Sequence, residues 1–600
     1  MFMKTTTQPF AIIEKDDIIT RYDGELYTFH TIAELQDFYK NQVSTLVFLT
    51  PFCTIRERGF ESHGNEPILA IQANKTTILI REVLEKTLSD KEIIFEQPIT
   101  PSQSDEEFAT LVKQIQDREI AGGNICQMIL SQPYIGKIQD FSEQDVESVF
   151  WNCLKQKWQY MTVFMSDGNW QYFVSLTPEQ HLKIDANEVT MNPIAGTLRK
   201  GDRDTLRDRL IDFLGTKKEQ NELFQVLDEE LKMMESICTD GWRIEWPFLR
   251  QNGAVIHTEY TLIGKKNPEI GPLDALRETL HAPTLVGWPI ESAARLIKKY
   301  ETRSRGYYGG EIGILTPDNH LDTAILIRMA HFRPDGTLTI QAGAGITKNS
   351  SPIDEAYEVR AKTGGMQSAL LWKTQIPPNV QDILEDVEVI TTLQSRNKNL
   401  SKFHFLDQSN LAENDILKNK TATIIDNEDN FSQMLARMMT RMGMKAQVVS
   451  TTDFDPSTNT SDIVLIWPGP GDINNMNDIK MTTLMWHTRA LMKSKRNILW
   501  VCLGHQAIAR AMGIPVERMS IPTQGEQIEL DISWTPEKLW FYNSFCPVDE
   551  GFDDFTYFRQ YLPIIRSGNI SGFQFHPESV MSQHGYEILE DELVRIISND

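Results

Sequence analysis

Residues 340–362 read IQAGAGITKNSSPIDEAYEVRAK and combine a glycine-rich run with the start of a helix. Residues 341–345 follow an apolar alternating run, and their glycines allow the backbone to come within hydrogen-bonding distance of a ligand. Ser351 and Pro352 stand where an N-cap and a first helical residue belong, and Asp354 comes three residues after the cap. The pattern predicts a strand, a glycine-rich approach to a ligand and then a helix.

Three charged residues share one face of this predicted helix. Glu355 and Glu358 are three residues apart and Lys362 follows four residues later, so their side chains project together. Two carboxylates and an amine beside exposed backbone N–H groups suit a hydrated Mg²⁺ ion that holds a carboxylate substrate. An ordinary salt-bridged, solvated helix after a glycine turn explains the same pattern, so the remaining sequence has to decide.

The composition indicates a multidomain protein without nucleic-acid-binding character. The 600 residues are too many for one hydrophobic core, and the net charge of -24 argues against a nucleic-acid partner, because phosphate binding needs a basic face. The six cysteines are scattered and form no C-x-x-C pair, which indicates free thiols in a reducing compartment. No signal peptide or membrane span is visible, so we expect a cytoplasmic protein with no membrane partner.

Changes of texture along the chain predict two domains and a linker. Residues 1–373 mix strands and helices and include one long charged helix over residues 203–234. Residues 374–420 contain the adjacent prolines Pro377 and Pro378, followed by a polar run rich in asparagine and lysine, which indicates an inter-domain linker. In residues 421–600 buried strand runs alternate with helical stretches, which indicates a parallel α/β domain.

Cys502 lies at a predicted strand-to-helix junction that suits a nucleophile. Residues 497–501 form a buried strand, and the following CLGHQ leads into a helix expected to open at Ala507. A cysteine on such a tight turn is presented to a substrate, and the helix N-terminus favours its thiolate. A lone cysteine is more often a small buried hydrophobic residue, so further signals are needed.

Two more segments supply the partners that a catalytic cysteine requires. His576 and Glu578 are two residues apart in FQFHPE, on a segment predicted to be strand-like. They suit a base that activates the thiol and a carboxylate that orients the base. The sequence PGPG at residues 468–471 offers bare backbone for an oxyanion hole.

Together these motifs resemble the class I, or triad, glutamine amidotransferases, over about Thr421 to Asp600. The resemblance implies that Cys502 attacks the side-chain amide of glutamine, that His576 is the acid and base, and that Glu578 orients it. It also implies that the product is ammonia, which needs an acceptor site nearby. The residues implied to hold glutamine or the oxyanion are Gly469, Pro470, Gly471, Leu503, Gln506, Ser544 and Phe545.

The region from about Phe108 to Leu371 resembles the chorismate-utilising enzymes, which include the anthranilate, aminodeoxychorismate, isochorismate and salicylate synthases. The resemblance implies a Mg²⁺ ion that binds the ring carboxylate of chorismate. Arg328 suits the enolpyruvyl carboxylate, which a guanidinium can hold in bidentate fashion, and His257 falls on the family's active-site histidine. The implied metal residues are Glu222 and Glu358, with Glu219 and Glu355 beside them; the other implied chorismate contacts are Gly196, Thr197, Thr284, Tyr308, Gly343, Ala344, Gly345 and Lys362.

Two positions select the chemistry within this resemblance. The water-using members resemble one another in placing a lysine base where this chain has Gln127, and a neutral amide cannot deprotonate water. Members that aminate at the para position carry a lysine nucleophile where this chain has Ala195. Direct attack of ammonia at C2 of chorismate is the chemistry that remains. The acid that assists loss of the C4 hydroxyl stays unassigned.

The fate of the enolpyruvyl group separates two branches of the family. Anthranilate synthases expel pyruvate and aromatise the ring, whereas the phenazine-type synthase stops at 2-amino-2-deoxyisochorismate. Residues 228–234 read DEELKMM where anthranilate synthases have D-L-x-R-N-D, and residues 287–290 read GWPI where they have G-A-P-K. The tryptophan-feedback motif L-L-E-S is missing, and the length suits the compact phenazine-type fusion. We expect that type, in phenazine or related secondary metabolism, with a fused anthranilate synthase as the alternative.

Readings from other functional classes fit the sequence less well. A non-catalytic sensor of glutamine or chorismate predicts loss of Cys502, His576 or the glutamates, and all are present. A free-standing glutaminase does not explain the metal residues of the first domain. The resemblance therefore implies an N-terminal α/β sandwich of antiparallel sheets, a C-terminal parallel-sheet domain, transfer of ammonia between the two sites, and a homodimer.

Overall fold

A computed structural model describes residues 8–40, 43–88, 91–371, 378–426, 431–466, 469, 471–494, 496–532, 535–548 and 561–598. The side chains of residues 217, 218, 221, 222 and 535 lie outside this description. The chain divides into two compact units. The first unit comprises Met1–Asp117, Gln127–Val226 and Trp246–Leu393, and the second comprises Arg118–Cys126, Leu227–Glu245 and Gln394–Asp600.

The part of the chain before residue 396 contains both helices and strands. The helices are α1 (Ile32–Tyr39), α2 (Arg81–Thr87), α3 (Asp105–Ile115), α4 (Glu143–Leu154), α5 (Arg203–Gly215), α6 (Lys217–Ile237), α7 (Pro272–Thr279), α8 (Pro283–Val286), α9 (Ile290–Tyr300), α10 (Pro352–Leu370), α11 (Gln381–Leu384) and α12 (Val387–Ser395). The strands are β1 (Phe10–Lys15), β2 (Ile18–Phe29), β3 (Leu46–Leu49), β4 (Ile68–Leu79), β5 (Phe95–Pro101), β6 (Gln127–Ile138), β7 (Met161–Ser166), β8 (Tyr172–Thr177), β9 (Gln180–Asp185), β10 (Glu188–Met191), β11 (Ile194–Arg199), β12 (Cys238–Ile244), β13 (Phe248–Asn252), β14 (Val255–Glu259), β15 (Leu262–Lys266), β16 (Gly287–Trp288), β17 (Glu311–Leu315), β18 (Leu321–Ile325), β19 (Met329–Phe332) and β20 (Thr337–Ile346).

Antiparallel pairing builds the first unit. Hydrogen-bonded neighbours lead in order through β5, β6, β20, β19, β8, β7, β1, β2, β4, β3, β17, β18, β9, β10 and β15, and β16 also pairs with β6. Strands β11, β14 and β13 form a small separate sheet. Apolar side chains such as Val47, Ile71, Val163 and Phe173 fill the core between strands. The predicted antiparallel architecture is confirmed.

Residues 340–362 span the end of strand β20 and the first part of helix α10. Ser351 is the N-cap of α10 and Pro352 its first residue, as predicted, but the Ser351 side chain makes no capping hydrogen bond. Gly343 of β20 lies where a Cβ would come within 3.0 Å of the Tyr308 hydroxyl and of the Leu130 carbonyl oxygen. Only glycine therefore leaves this part of the strand open.

The prediction of one long helix over residues 203–234 is wrong, because the helix is interrupted at Thr216. This residue has an extended backbone with φ of -76° and ψ of 133°, and its N–H donates to the Phe213 carbonyl at 3.2 Å. Gly215 before it is a poor helix former. Helix α5 ends at Gly215, and α6 begins at Lys217.

Residues 378–410 carry ordered structure within the predicted linker. They form α11, α12 and three short 3-10 turns at Arg396–Asn399, Lys402–Phe405 and Gln408–Asn410. Apolar residues of α11, α12 and α5 pack in one cluster that includes Leu206, Leu210, Leu214, Leu384, Val389 and Leu393. The predicted domain boundaries at 373 and 421 stay predictions.

The second unit contains a parallel sheet flanked by helices. Its later elements are β21 (Thr421–Asp426), α13 (Phe431–Arg441), β22 (Lys445–Ser450), β23 (Ile463–Ile466), α14 (Ile479–Lys493), β24 (Asn497–Val501), α15 (Leu503–Ala511), β25 (Val516–Ile532), β26 (Thr535–Pro547), β27 (Ile564–Ser567), β28 (Ile570–Phe573) and α16 (Gly585–Ser598). The sheet order is β22-β21-β23-β24-β28-β27, parallel except at β27–β28, and β25 with β26 forms an antiparallel hairpin. The predicted parallel sheet is confirmed.

Two local expectations in this unit are wrong. Helix α15 begins at Leu503 and not at Ala507, because the backbone reverses sharply at Cys502. Strand β28 ends at Phe573, so His576 and Glu578 lie in the turn after the strand and not on it. Among the described residues, no helix is both long and apolar enough to cross a bilayer.

Candidate functional sites

Cys502 occupies a strained turn between β24 and α15. Its backbone has φ of 52° and ψ of -106°, a region that non-glycine residues rarely adopt, and its N–H donates to the Phe573 carbonyl at 2.7 Å. Cys502 is the N-cap residue of α15, so its thiol stands at the N-terminus of that helix. This geometry suits the nucleophile predicted from the sequence.

His576 and Glu578 form a buried pair beside this cysteine. Nδ1 of His576 and Oε1 of Glu578 are 2.7 Å apart, and Nε2 of His576 has no hydrogen-bond partner within the described part of the chain. Because a carboxylate only accepts, Nδ1 carries the hydrogen and Nε2 is left to exchange a proton. Burial lowers the pKa of His576, but the charges of Glu578 and Cys502 outweigh it and raise this pKa well above its usual range.

The residues predicted to hold glutamine lie in the second unit around α15 and β26. Leu503 is the first residue of α15, and Nε2 of Gln506 donates to the Phe545 carbonyl at 2.9 Å. The Ser544 hydroxyl accepts from Nε2 of Gln524 at 3.0 Å.

The predicted oxyanion segment is only partly described. Gly471 has φ of 148°, and a Cβ there would come within 2.6 Å of the Met481 methyl carbon. Gly469 is half-buried, whereas Pro468 and Pro470 lie outside the described residues.

A second candidate site is a cavity of about 1180 Å³ in the first unit. Its wall contains most residues predicted from the chorismate resemblance. These are Gly196, Thr197, Glu219, His257, Thr284, Tyr308, Arg328, Gly343, Gly345, Glu358 and Lys362, together with Gln127 and Ala195. Ala344 and Glu355 are instead buried in the packing, with 0% and 2% of their surface exposed. The side chain of Glu222 lies outside the description.

His257 holds Arg328 in this cavity. Nδ1 of His257 lies 3.1 Å from the Gly196 carbonyl oxygen, so this nitrogen carries the hydrogen, and Nε2 accepts from a guanidinium nitrogen of Arg328 at 3.2 Å. Burial, with the adjacent Arg328 charge, lowers the pKa of His257 to about 3. Burial also lowers the pKa of Arg328, to about 10, which leaves it charged at neutral pH. The pair therefore presents one positive charge, suited to a carboxylate.

Lys362 connects α10 with β20 at the cavity wall. Its amine lies 2.7 Å from Oε1 of Glu358 and donates to the Gly343 carbonyl at 3.0 Å. On the opposite side, a Cβ at Gly196 would come within 2.9 Å of Oε2 of Glu219, so glycine allows that carboxylate to approach the strand. Carboxylates from two different helices thus line the same cavity.

This donor set fits a hard divalent cation such as Mg²⁺, because Glu219 and Glu358 offer carboxylate oxygens from α6 and α10. Glu222 lies on α6 three residues after Glu219. Within the described residues, no group of three or more histidine, cysteine, aspartate or glutamate side chains is arranged to hold a metal. The assignment of these glutamates to Mg²⁺ stays a prediction.

Glu179 is a cavity residue that sequence reasoning missed. It is 4% exposed, and its Oε1 accepts from the Thr284 hydroxyl at 3.0 Å. Burial raises the pKa of Glu179 to about 8, against the lowering effects of the Thr284 hydrogen bond and of Arg328. The carboxyl is therefore protonated at neutral pH and can donate a proton. A single glutamate after a proline has no spacing partner, so no sequence pattern could identify it.

Comparisons with known proteins match both parts of the chain. The sequence model of the chorismate binding enzymes matches residues 23–368, and that of the class I glutamine amidotransferases matches residues 423–596. The chain is 32% identical to an anthranilate synthase, phenazine specific, from Pseudomonas chlororaphis, over 98% of this chain and 95% of the relative. It is also 32% identical to the protein so named from Pseudomonas fluorescens, with the same coverage. A solved menaquinone-specific isochorismate synthase from Escherichia coli has a TM-score of 0.51 at 15% identity, covering 61% of this chain and 90% of that one, which supports the fold of the first unit alone.

Proposed function

Because the chain belongs to the chorismate binding enzymes and carries a class I glutamine amidotransferase region, we propose that it aminates chorismate at C2 with nitrogen taken from glutamine. The proposed products are 2-amino-2-deoxyisochorismate and glutamate. The main support for the proposal is that Gln127 and Ala195 line the cavity. Neither side chain is an amine or a base, so ammonia made by the same chain is the nucleophile that remains.

The glutaminase half-reaction uses the residues around Cys502. The thiolate attacks the side-chain amide carbon of glutamine, and the backbone N–H groups of Leu503, Gly469 and Gly471 are the proposed donors to the oxyanion that forms. His576 gives its Nε2 proton to the departing nitrogen, and a C–S bond replaces the C–N bond. Water then hydrolyses the thioester with His576 as base. Glu578 keeps the imidazole in the productive tautomer throughout.

The amination half-reaction uses the cavity of the first unit. Arg328 would hold the enolpyruvyl carboxylate of chorismate, and Lys362 is a further contact for the substrate on the same cavity wall. Ammonia forms a bond to C2, the C1=C2 and C5=C6 double bonds of the ring shift to C1=C6 and C4=C5, and the C4–O bond breaks. Glu179 supplies the proton with which the C4 hydroxyl leaves as water, and the ammonium nitrogen loses a proton to solvent or to the resulting carboxylate. Atoms and charge balance without a redox partner.

Mg²⁺ is the proposed cofactor, held by Glu219, Glu222 and Glu358, with Glu355 behind them. When bound, it would neutralise the ring carboxylate of chorismate and fix its orientation. The support for this cofactor is the carboxylate pair on the cavity wall together with the family membership.

The biological setting is proposed from similarity. The relatives named phenazine specific support a role in phenazine or related secondary metabolism. The homodimer and the cytoplasmic location rest on the sequence interpretation alone. A fused anthranilate synthase, which also eliminates pyruvate, is the second candidate, because the same relatives are named anthranilate synthases.

The transfer of nitrogen can be followed with glutamine labelled with ¹⁵N in its side-chain amide. Purified protein with chorismate, this glutamine and Mg²⁺ should give an aminated product that carries the label. Cys502→Ala should lose the glutamine-dependent rate by about 10³-fold or more but keep the rate with ammonium salts, because only the nucleophile is removed.

Loss of both rates in Cys502→Ala, or an unlabelled product from the wild-type protein, would contradict the proposal. Cys546→Ala, which removes another buried thiol of the second unit, is the matched control and should keep the glutamine-dependent rate.

A further inference from the structure

The second unit contains two segments from within the stretch that matches the chorismate-binding family. These are Arg118–Cys126 and Leu227–Glu245, whereas the amidotransferase model matches only residues 423–596. The later segment holds the C-terminal half of α6 and strand β12. The packing of the glutaminase unit is therefore completed by residues that the amidotransferase family does not supply.

Asp228, on α6, makes two hydrogen bonds directly after the catalytic glutamate. Its Oδ2 accepts from the Ser579 hydroxyl at 2.6 Å, and its Oδ1 accepts from the Val580 N–H at 2.9 Å. All three residues are fully buried. Both carboxylate oxygens are thus committed to the two residues that follow Glu578.

The turn that Asp228 holds is the one that orients the triad. Nε2 of His404 lies 3.1 Å from the Glu578 carbonyl oxygen, and the Met581 N–H donates to the Ser579 hydroxyl at 3.1 Å. His404 thus contacts the backbone carbonyl of Glu578, and Asp228 holds the two residues that follow it. The Glu578 side chain is left to reach Nδ1 of His576. A shift of this turn would move the carboxylate that sets the imidazole.

Further contacts hold the part of α6 that follows Asp228. Glu235 forms an ion pair with Arg437 of α13, with Nε and Oε2 at 2.5 Å. The Lys232 amine lies 4.1 Å from the centre of the Phe431 ring, and that ring is 5.2 Å from the ring of His576. This half of α6 is therefore packed against the catalytic histidine's own neighbours.

The carboxylate form of Asp228 fits this role. Burial raises the pKa of Asp228 to about 6, while the hydrogen bonds from Ser579 and Val580 limit the rise, so the group is ionised at neutral pH. An ionised acceptor forms stronger hydrogen bonds than a neutral one. A buried donor left without its acceptor is costly, so removing the side chain would favour a different turn geometry.

We propose that Asp228 is a positioning residue of the glutaminase half-reaction, supplied by the chorismate-binding stretch, which holds the Glu578 turn so that Glu578 orients His576. The inference rests on the proposed function. Asp228 would act through Ser579 and Val580, the two residues that its carboxylate contacts. Its effect is expected on the catalytic rate constant rather than on glutamine binding.

The test compares Asp228→Ala, Asp228→Asn and Ser579→Ala for glutamine hydrolysis by the full-length protein with chorismate and Mg²⁺ present. Asp228→Ala should lower kcat by about 10- to 100-fold with KM for glutamine changed less than about threefold, because misplacement of a catalytic group by about 1 Å has effects of this size. Asn can still accept from the Val580 N–H and meet the Ser579 hydroxyl, so Asp228→Asn should recover much of the rate. Ser579→Ala keeps the hydrogen bond from the Val580 N–H, so its kcat should lie between those of Asp228→Ala and Asp228→Asn.

Ser236→Ala is the matched control on the same helix. Ser236 is exposed, and its hydroxyl donates only within α6, to the Met233 carbonyl at 2.7 Å. This variant should keep the wild-type kcat. Thermal unfolding and near-UV circular dichroism identify any variant that fails to fold.

Wild-type kcat in both Asp228→Ala and Ser579→Ala would overturn the inference, as would an effect confined to KM. If Asp228→Ala does not fold, the order wild type, Asp228→Asn, Ser579→Ala decides it, and equal kcat values in these three overturn it. Absence of glutamine hydrolysis in the wild-type protein would instead contradict the proposed function, so the two failures are distinguishable.

Discussion

At the scale of single residues, Glu179 is the proposed acid of the chorismate cavity. Its carboxyl is buried, bonded to the Thr284 hydroxyl, and raised to a pKa of about 8 chiefly by that burial. The protonated form is the one that can assist loss of the C4 hydroxyl, and it is lost as the pH rises through about 8.

We therefore predict that Glu179→Gln lowers the ammonia-dependent rate by about 10²- to 10⁴-fold, the usual contribution of a general acid. In the wild-type protein, the rate divided by the concentration of uncharged ammonia should fall as the pH rises through about 8. Initial rates across a pH series check both points. Glu188→Gln, at an exposed glutamate of β10, is the control and should behave as wild type. A Glu179→Gln variant with the wild-type rate and pH dependence would remove Glu179 from the mechanism.

Residues with spacing partners could be predicted, and residues without them could not. His576 with Glu578, and Glu358 with Lys362, are each separated by a fixed number of positions and are in contact in the structure. Glu179 and His404 gain their roles only through burial and through partners far along the chain. No local pattern carries that information, so the acid stayed unassigned at the level of sequence.

At the scale of elements, helices α6 and α10 connect chemistry with packing. Helix α10 presents Glu358 and Lys362 to the cavity, and α6 carries Glu219 near its start and Asp228 further along. The start of α10 was predicted because Ser351 and Pro352 mark it locally. The break between α5 and α6 was not, because Thr216 and the preceding glycine leave the apolar periodicity on either side unchanged.

Glu358→Gln tests the metal role of α10. Because a cation held by fewer carboxylates binds more weakly, the Mg²⁺ concentration for half-maximal amination should rise about tenfold or more. The glutamine-dependent and ammonia-dependent rates should both fall at fixed Mg²⁺, since both need the chorismate cavity. Magnesium titrations of each rate provide the measurement. An unchanged Mg²⁺ dependence would argue against the assignment, and Glu291→Gln, at an exposed position of α9, should leave it unchanged.

At the scale of the whole molecule, two catalytic chemistries share one chain. The parallel second unit was predicted from buried strand runs that alternate with helices, and the antiparallel first unit from the resemblance to the chorismate-utilising enzymes. The assignment of residues 227–245 to the second unit was not predictable, since it depends on contacts such as those of Asp228 with Ser579 and Val580. Sequence similarity alone divides the chain differently from its packing.

The product of the complete reaction distinguishes amination alone from amination followed by loss of pyruvate. Purified protein incubated with chorismate, glutamine and Mg²⁺ is analysed by mass spectrometry and fluorescence, with pyruvate measured in parallel. We predict a non-fluorescent aminated product that keeps its enolpyruvyl group, formed together with glutamate and without pyruvate. Fluorescent anthranilate with an equivalent of pyruvate would contradict it and establish an anthranilate synthase.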